Sequence, residues 1–180
     1  YYEVENKIEQ ALKSGEVTLN LSAEWNATDE NKLHELPKSL SQLTQLKSLD
    51  LSNNRLAALP EWLGQLIQLQ TLNLSDNGLW TVPEWIDQLG QLQHLYLYRN
   101  GLSTLPDSIG NLTQLQTLTL GENLLSELPG TFDRLVNLKT LNLNNGFFKV
   151  FPEIITKLEH LEDLYFGGNQ LAVLPDSIGK

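Results

Sequence analysis

Leucine recurs every 23 residues along this chain, and no other feature limits the fold as tightly. From Leu43 the step leads to Leu66, Leu89, Leu112, Leu135 and Leu158, each followed by the same phrase. In its first copy that phrase is Leu46, Leu49, Leu51, Asn54, Leu56, Leu59 and Pro60. A fixed period of this size marks a solenoid: each coil is too small to bury a core alone and is covered by the coils on either side. The function of such a stack lies on its surface.

Charge narrows the partners. Twelve Lys and Arg stand against 22 Asp and Glu, a formal net charge of −10, which repels phosphate backbones. No basic patch offsets it, so a protein or peptide is the expected partner and nucleic acid is not. No apolar run approaches the ~18 residues of a membrane span, so no membrane insertion is expected. The absence of cysteine excludes a disulfide framework and a thiolate metal site. The absence of methionine at position 1 predicts that a leader, tag or other segment precedes Tyr1. Compartment stays open between the cytoplasm, toward which the reading leans, and export from the cell.

Residues 1–15 read as an N-terminal capping helix. Val4, Ile8, Ala11 and Leu12 fall at helical spacing, and Gly15 supplies the left-handed stop. Residues 16–42 form an irregular first repeat. Leu33, Leu36 and Pro37 lie 23 before Leu56, Leu59 and Pro60, yet Leu19 and Leu21 lie 30 before Leu49 and Leu51. The difference predicts a seven-residue insertion looping out within 23–30. Six regular repeats then fill 43–180, and the whole chain reads as a single unit. Lys180 is in phase with Gln65 and Gln88, so the next residue in register would be another coil's leucine. We therefore expect the native chain to continue, or this uncapped coil to associate end to end with another molecule.

This phrase resembles the leucine-rich repeats of the 23-residue L-P-x-x-I type found in bacterial repeat proteins, Roco GTPases and Ras-binding scaffolds. The resemblance covers nearly the whole chain and implies an α/β fold. That fold is a right-handed leucine-rich-repeat solenoid with a concave parallel β-sheet of short strands and a convex side of short helical turns and loops. It implies that Asn54, Asn77, Asn100, Asn123 and Asn169 hydrogen-bond the turning backbones of adjacent coils. Gly146 breaks that column, and either an altered turn or a substitute from Asn145 is expected there. The prolines at 60, 83, 106, 129, 152 and 175 stop the convex segment from joining the sheet and preset a helical turn. Glu61, Glu84, Asp107, Glu153 and Asp176 follow them. They form either an acidic ridge for cations or the carboxylates that suit a turn's first residues, and the second reading is preferred.

Side chains alternate across a strand, so the residues flanking each inward leucine face the concave surface. Most are small and polar. One coil differs: His94, Tyr96, Tyr98 and Arg99 are read on a single strand, and Tyr and Arg dominate interface hot spots. Tyr165 occupies the column of Tyr96 three coils on, about 14 Å away, with Thr119 and Asn142 between them. Gly121, Gly167 and Gly168 leave space beside this floor. The pattern predicts a shallow recess for a peptide or protein loop. The competing reading is that tyrosines simply suit a sheet surface and touch across strands. A second candidate patch is convex: Trp62 and Trp85 share a position in adjacent coils, with Trp80 nearby. These rings either form a contact patch or fold down over the coil's flank. Leu124 and Phe147 form a smaller apolar pair.

No catalytic residue, metal site or cofactor is assigned. His94 is the one histidine on the concave face, and a loose set with Ser75 or Thr71 and Asp50 lacks an oxyanion loop. His94 and Asp163 are three coils apart, too far to ligate one ion. His160 replaces the Gln or Asn of its column and is read as structural. The terminal Gly179-Lys180 lacks the rest of a phosphate loop. Of the Asn-x-Ser/Thr triplets at Asn20, Asn26, Asn73 and Asn111, the first and third come from the repeat itself and say little about secretion. The expected function is a non-catalytic protein- or peptide-binding module working through the concave face. The alternative is the recognition segment of a larger protein, Roco-like GTPase or secreted effector, with catalysis elsewhere.

Overall fold

The computed structural model describes residues 2–24 and 26–173. Pro175, Asp176, Gly179-Lys180 and the register of Lys180 lie outside the described residues, as do Tyr1 and Trp25. The chain opens with helix α1, Tyr2–Ser14, which Gly15 ends at φ 68°. Ile8 and Ala11 are buried against the first coil, and Ser39 Oγ donates to Glu5 Oε2 at 2.6 Å. Leu12, read on the apolar face, turns outward and is 36% exposed. It lies one residue past Ala11, which rotates it to the edge of that face.

Seven three-residue strands follow: β1 Thr18–Asn20, β2 Ser48–Asp50, β3 Thr71–Asn73, β4 His94–Tyr96, β5 Thr117–Thr119, β6 Thr140–Asn142 and β7 Asp163–Tyr165. They form one parallel sheet in sequence order. Leu19 pairs with Leu49 across the 30-residue step, and every later pair follows the 23-residue step, as Leu72 with Leu95. The inserted segment holds a 3-10 turn, Asp29–Asn31, and rejoins the regular path where Leu33 N donates to Asn54 Oδ1 at 2.8 Å. Asp29 pairs there with Arg55.

Opposite the sheet each coil makes a short 3-10 turn. Pro60, Pro83 and Pro106 precede these turns with φ near −72°, and their carbonyls accept the turn's hydrogen bond, as Pro60 O does from Leu63 N. Glu61, Glu84, Asp107 and Glu153 take the first turn position. Where Gly130 stands in that place, the turn shortens to Phe132–Arg134.

Between sheet and turns lies a continuous leucine core. Leu46, Leu69, Leu92, Leu115 and Leu138 are all fully buried. The asparagine column binds the coils together. Asn123 Nδ2 donates to Leu97 O and Leu120 O, both at 2.9 Å, while Leu102 N donates to its Oδ1. Gly146 has neither an unusual backbone nor a substitute from Asn145. A Cβ at Gly146 would meet Asn169 Oδ1 at 2.8 Å and the Phe148 ring at 3.1 Å. Phe148 stands where Leu125 stands one coil earlier, so the missing side chain is exchanged for a larger buried ring. Phe148 and Phe151 both pack on Phe166, at 5.2 and 5.3 Å between centroids.

Candidate binding face

The sheet's outward face is mostly a frame that satisfies itself. Asn20, Asp50, Asn73 and Asn142 use Oδ1 to accept the backbone N–H two residues on, at 2.8–3.1 Å. This side-chain turn closes β1, β2, β3 and β6. It also explains the Asn-x-Ser triplets at Asn20 and Asn73. Asn142, one of the expected floor residues, is thereby engaged with Asn144. Tyr96, Thr119 and Tyr165 hold the same column without that bond. Thr119 Oγ1 is buried and, among the described residues, has no hydrogen-bond partner.

The rim beyond this column departs from the strand reading. Strand β4 ends at Tyr96, and Arg99 is in the left-handed region at φ 53°. So are Asn53, Asp76, Glu122 and Asn145, at φ 53–58°, and Gly168 at 70°. The ladder nonetheless continues, because Arg99 N donates to Gly121 O at 2.9 Å. Asn, Asp and Gly adopt this backbone readily, whereas other residues do so at a cost of roughly 1–2 kcal/mol. Arg99 and Glu122 are the two members of the column that bear it.

Both belong to one network. Tyr98 donates its hydroxyl to Glu122 Oε1 at 2.5 Å, and Arg99 lies 3.6 Å from both Glu122 Oε2 and Asp76 Oδ1. The Tyr98 ring leans across Gly121, where a Cβ would meet it at 3.2 Å. Gly121 therefore makes room for the ring itself. Beside it, His94 and Tyr96 stand nearly parallel, 14° apart with centroids at 6.5 Å, and His94 Nδ1 is 3.1 Å from Thr117 Oγ1. The structure thus gathers Tyr96, Tyr98, Arg99 and Glu122, with Tyr165, 49% exposed, three strands away. Glu122 was missed in the sequence. The signal available was its place in an otherwise Asn/Asp/Gly column.

The bond to Glu122 holds the Tyr98 phenol protonated and pushes its pKa above the usual tyrosine value. A raised folded-state value supports the fold below the ordinary tyrosine pKa, and that support is lost as pH rises through the raised one. Glu122→Gln should let Tyr98 ionise at lower pH. Absorbance titration of phenolate, with Tyr98→Phe to assign the step, checks this, and identical curves for variant and parent would contradict it.

The three convex tryptophans differ in exposure. Trp62 and Trp85 are half-buried against the core, and a Cβ at Gly64 would meet Trp85 Cε3 at 3.1 Å. Trp80 is 66% exposed, and its ring lies beside Gly101 of the next coil. Among the described residues no ring contact joins two tryptophans. His160 Nδ1 lies 2.8 Å from Val136 O, the place Asn137 Nδ2 fills against Thr113 O one coil earlier. Among the described residues no group of acidic or histidine side chains is placed to hold a metal ion, and no helix is long and apolar enough to cross a membrane.

Similarity to known proteins follows the same frame. Many solved structures are alike, these three among them. A leucine-rich repeat protein of Leptospira interrogans is 33% identical with a TM-score of 0.50, covering 83% of this chain and 50% of its own. The leucine-rich repeat domain of the type III effector XopL is 26% identical with a TM-score of 0.84, covering 99% and 61%. A plant ice-binding protein is 33% identical with a TM-score of 0.65, covering 75% and 45%. The chain thus spans about half of the length of these structures. No curated protein matches it. The family model described as "Leucine-rich repeat region" matches residues 18–122 and 92–170, and with the stacked strands and asparagine ladder it shows that the chain belongs to the leucine-rich repeat family.

Proposed function

We propose that the sheet face binds a peptide or protein loop across β4 to β7, with Tyr96, Tyr98 and Tyr165 as its aromatic contacts. Leucine-rich repeats typically bind proteins and are generally non-catalytic, which fits a polar face carrying a few fixed aromatic rings. One observation carries the placement. Arg99 and Glu122 sit in a backbone conformation that Asn, Asp or Gly adopt more easily, and Glu122, paired with Arg99, accepts the Tyr98 hydroxyl and fixes its pose. A fold that needed only a turn would use asparagine there, as at Asn53 and Asn145. Fixing an aromatic ring before binding lowers the entropy lost when a partner docks. The carboxylates at Asp50, Asp76, Glu122 and Asp163 outnumber Arg99 along this face and favour a partner segment carrying basic residues.

A peptide selected on the protein from a random display library should bind the Tyr96→Ala/Tyr98→Ala variant at least roughly tenfold more weakly, about 1.4 kcal/mol. Fluorescence anisotropy measures this, with circular dichroism confirming the fold. Equal affinity with an intact fold would move the site elsewhere, and Trp80→Ala then tests the convex flank.

A second reading rests on the likeness to the XopL domain: this repeat is the recognition segment of a longer protein whose chemistry lies outside the chain. The full open reading frame tests it directly. End-to-end association through the last coil is a separate matter for sedimentation.

A further inference from the structure

We propose that Asn145 is a site of spontaneous deamidation to aspartate and isoaspartate, and that the fold protects the chain's other two Asn-Gly pairs from the same reaction. The chain contains Asn77-Gly78, Asn100-Gly101 and Asn145-Gly146. Asn-Gly is the most reactive context for this chemistry, because glycine puts no side chain between the attacking nitrogen and the carboxamide carbon.

Two pairs are locked at both reacting groups. Asn77 Nδ2 donates to Leu51 O and Leu74 O at 3.0 and 3.1 Å, and its Oδ1 accepts Leu56 N at 3.0 Å. Asn100 Nδ2 donates to Leu74 O and Leu97 O, and its Oδ1 accepts Leu79 N. The nucleophiles are held as well, since Gly78 N donates to Leu56 O and Gly101 N to Leu79 O.

The third pair sits one position earlier in its coil, in the left-handed rim column. Asn145 has φ 55° and is exposed. Its own N–H donates to Gly167 O at 2.8 Å. Among the described residues, neither its carboxamide, nor its backbone carbonyl, nor the Gly146 N–H has a hydrogen-bond partner. The peptide unit between Asn145 and Gly146 is therefore free to turn and bring the nitrogen toward Cγ. Gly168 leaves the carboxamide the room it occupies: a Cβ there would fall 1.9 Å from Asn145 Oδ1.

The step balances without a redox partner. Gly146 N gives its proton to a solvent base and attacks Asn145 Cγ, forming the ring C–N bond, and the carboxamide nitrogen leaves as ammonia. Water then opens the cyclic imide at either carbonyl, leaving aspartate or isoaspartate. A carboxylate appears beside Glu122, on a chain already at −10.

Incubation of the intact chain in warm, mildly alkaline buffer, with and without urea, tests this by peptide-mapping mass spectrometry. In the folded protein Asn145 should convert at least roughly tenfold faster than Asn77 or Asn100, and in urea the three rates should converge. Similar rates at all three in the folded protein would overturn the proposal. So would a folded-state Asn145 as slow as the other two while all three react in urea. Asn145→Gly keeps the left-handed turn and should abolish enzymatic isoaspartate labelling of the folded protein, and persistent labelling would also overturn it.

Discussion

Asn123→Ala is expected to destabilise the protein by about 3 kcal/mol or more, since each buried polar group left unmatched costs roughly 1–3 kcal/mol. Asn123 is 2% exposed, and its carboxamide serves Leu102 N, Leu97 O and Leu120 O at once. Alanine strands the Leu102 N–H and the Leu120 carbonyl where water does not reach them, and leaves Leu97 O with only the longer bond from Asn100 Nδ2 at 3.2 Å. Urea unfolding reads the loss as a lower midpoint, and a shift worth under about 1 kcal/mol would mean the ladder adds little. The column's own gap at Gly146 shows why alanine alone is insufficient there. The Phe148 ring takes the space of the absent carboxamide, while Leu143 O still accepts the ladder's ordinary bond from Asn169 at 2.9 Å, as Leu97 O does from Asn123. Asn123→Ala brings no such ring, because Leu125 remains a leucine.

The leucine and asparagine columns were legible because they repeat at one offset, and the sheet register follows that offset from Leu49 through Leu164. The seven-residue insertion was equally readable as a change in the same count. The rim was not. Alternation placed Arg99 on the strand of His94, whereas its backbone turns left-handed, a state that neither Arg99 nor Glu122 advertises by residue type. Nor does periodicity say that Tyr98 reaches 24 residues forward to Glu122, because that depends on Gly121 leaving the path clear. Tyr96, Tyr98 and Arg99 were found as unusual residue types. The carboxylates that hold Arg99 and Tyr98 were not, since acidic residues are common throughout the chain. The tryptophans divide for a similar reason: two pack inward and one stands out, although all three belong to neighbouring coils.

Leu118→Ala should cost about 3 kcal/mol, within the range of buried Leu→Ala changes, and Leu164→Ala about 1 kcal/mol. The two leucines share one phase of the repeat, 46 residues apart, yet Leu118 is fully buried and Leu164 is 37% exposed. Alanine at 118 opens a cavity between coils held on both sides, while at 164 part of the side chain already meets solvent. A stack in which each coil touches only its neighbours adds a second consequence. Weakening the β5 coil loosens the coupling between the coils before it and those after it. Trp62, Trp80 and Trp85 all precede Leu118, so tryptophan fluorescence follows the first half of the chain, whereas circular dichroism follows all of it. In the parent the two urea transitions should coincide, as in a two-state protein. In Leu118→Ala they should separate. Coincident transitions in that variant would show cooperativity reaching further than nearest neighbours, carried by the asparagine ladder as well as by the leucine core.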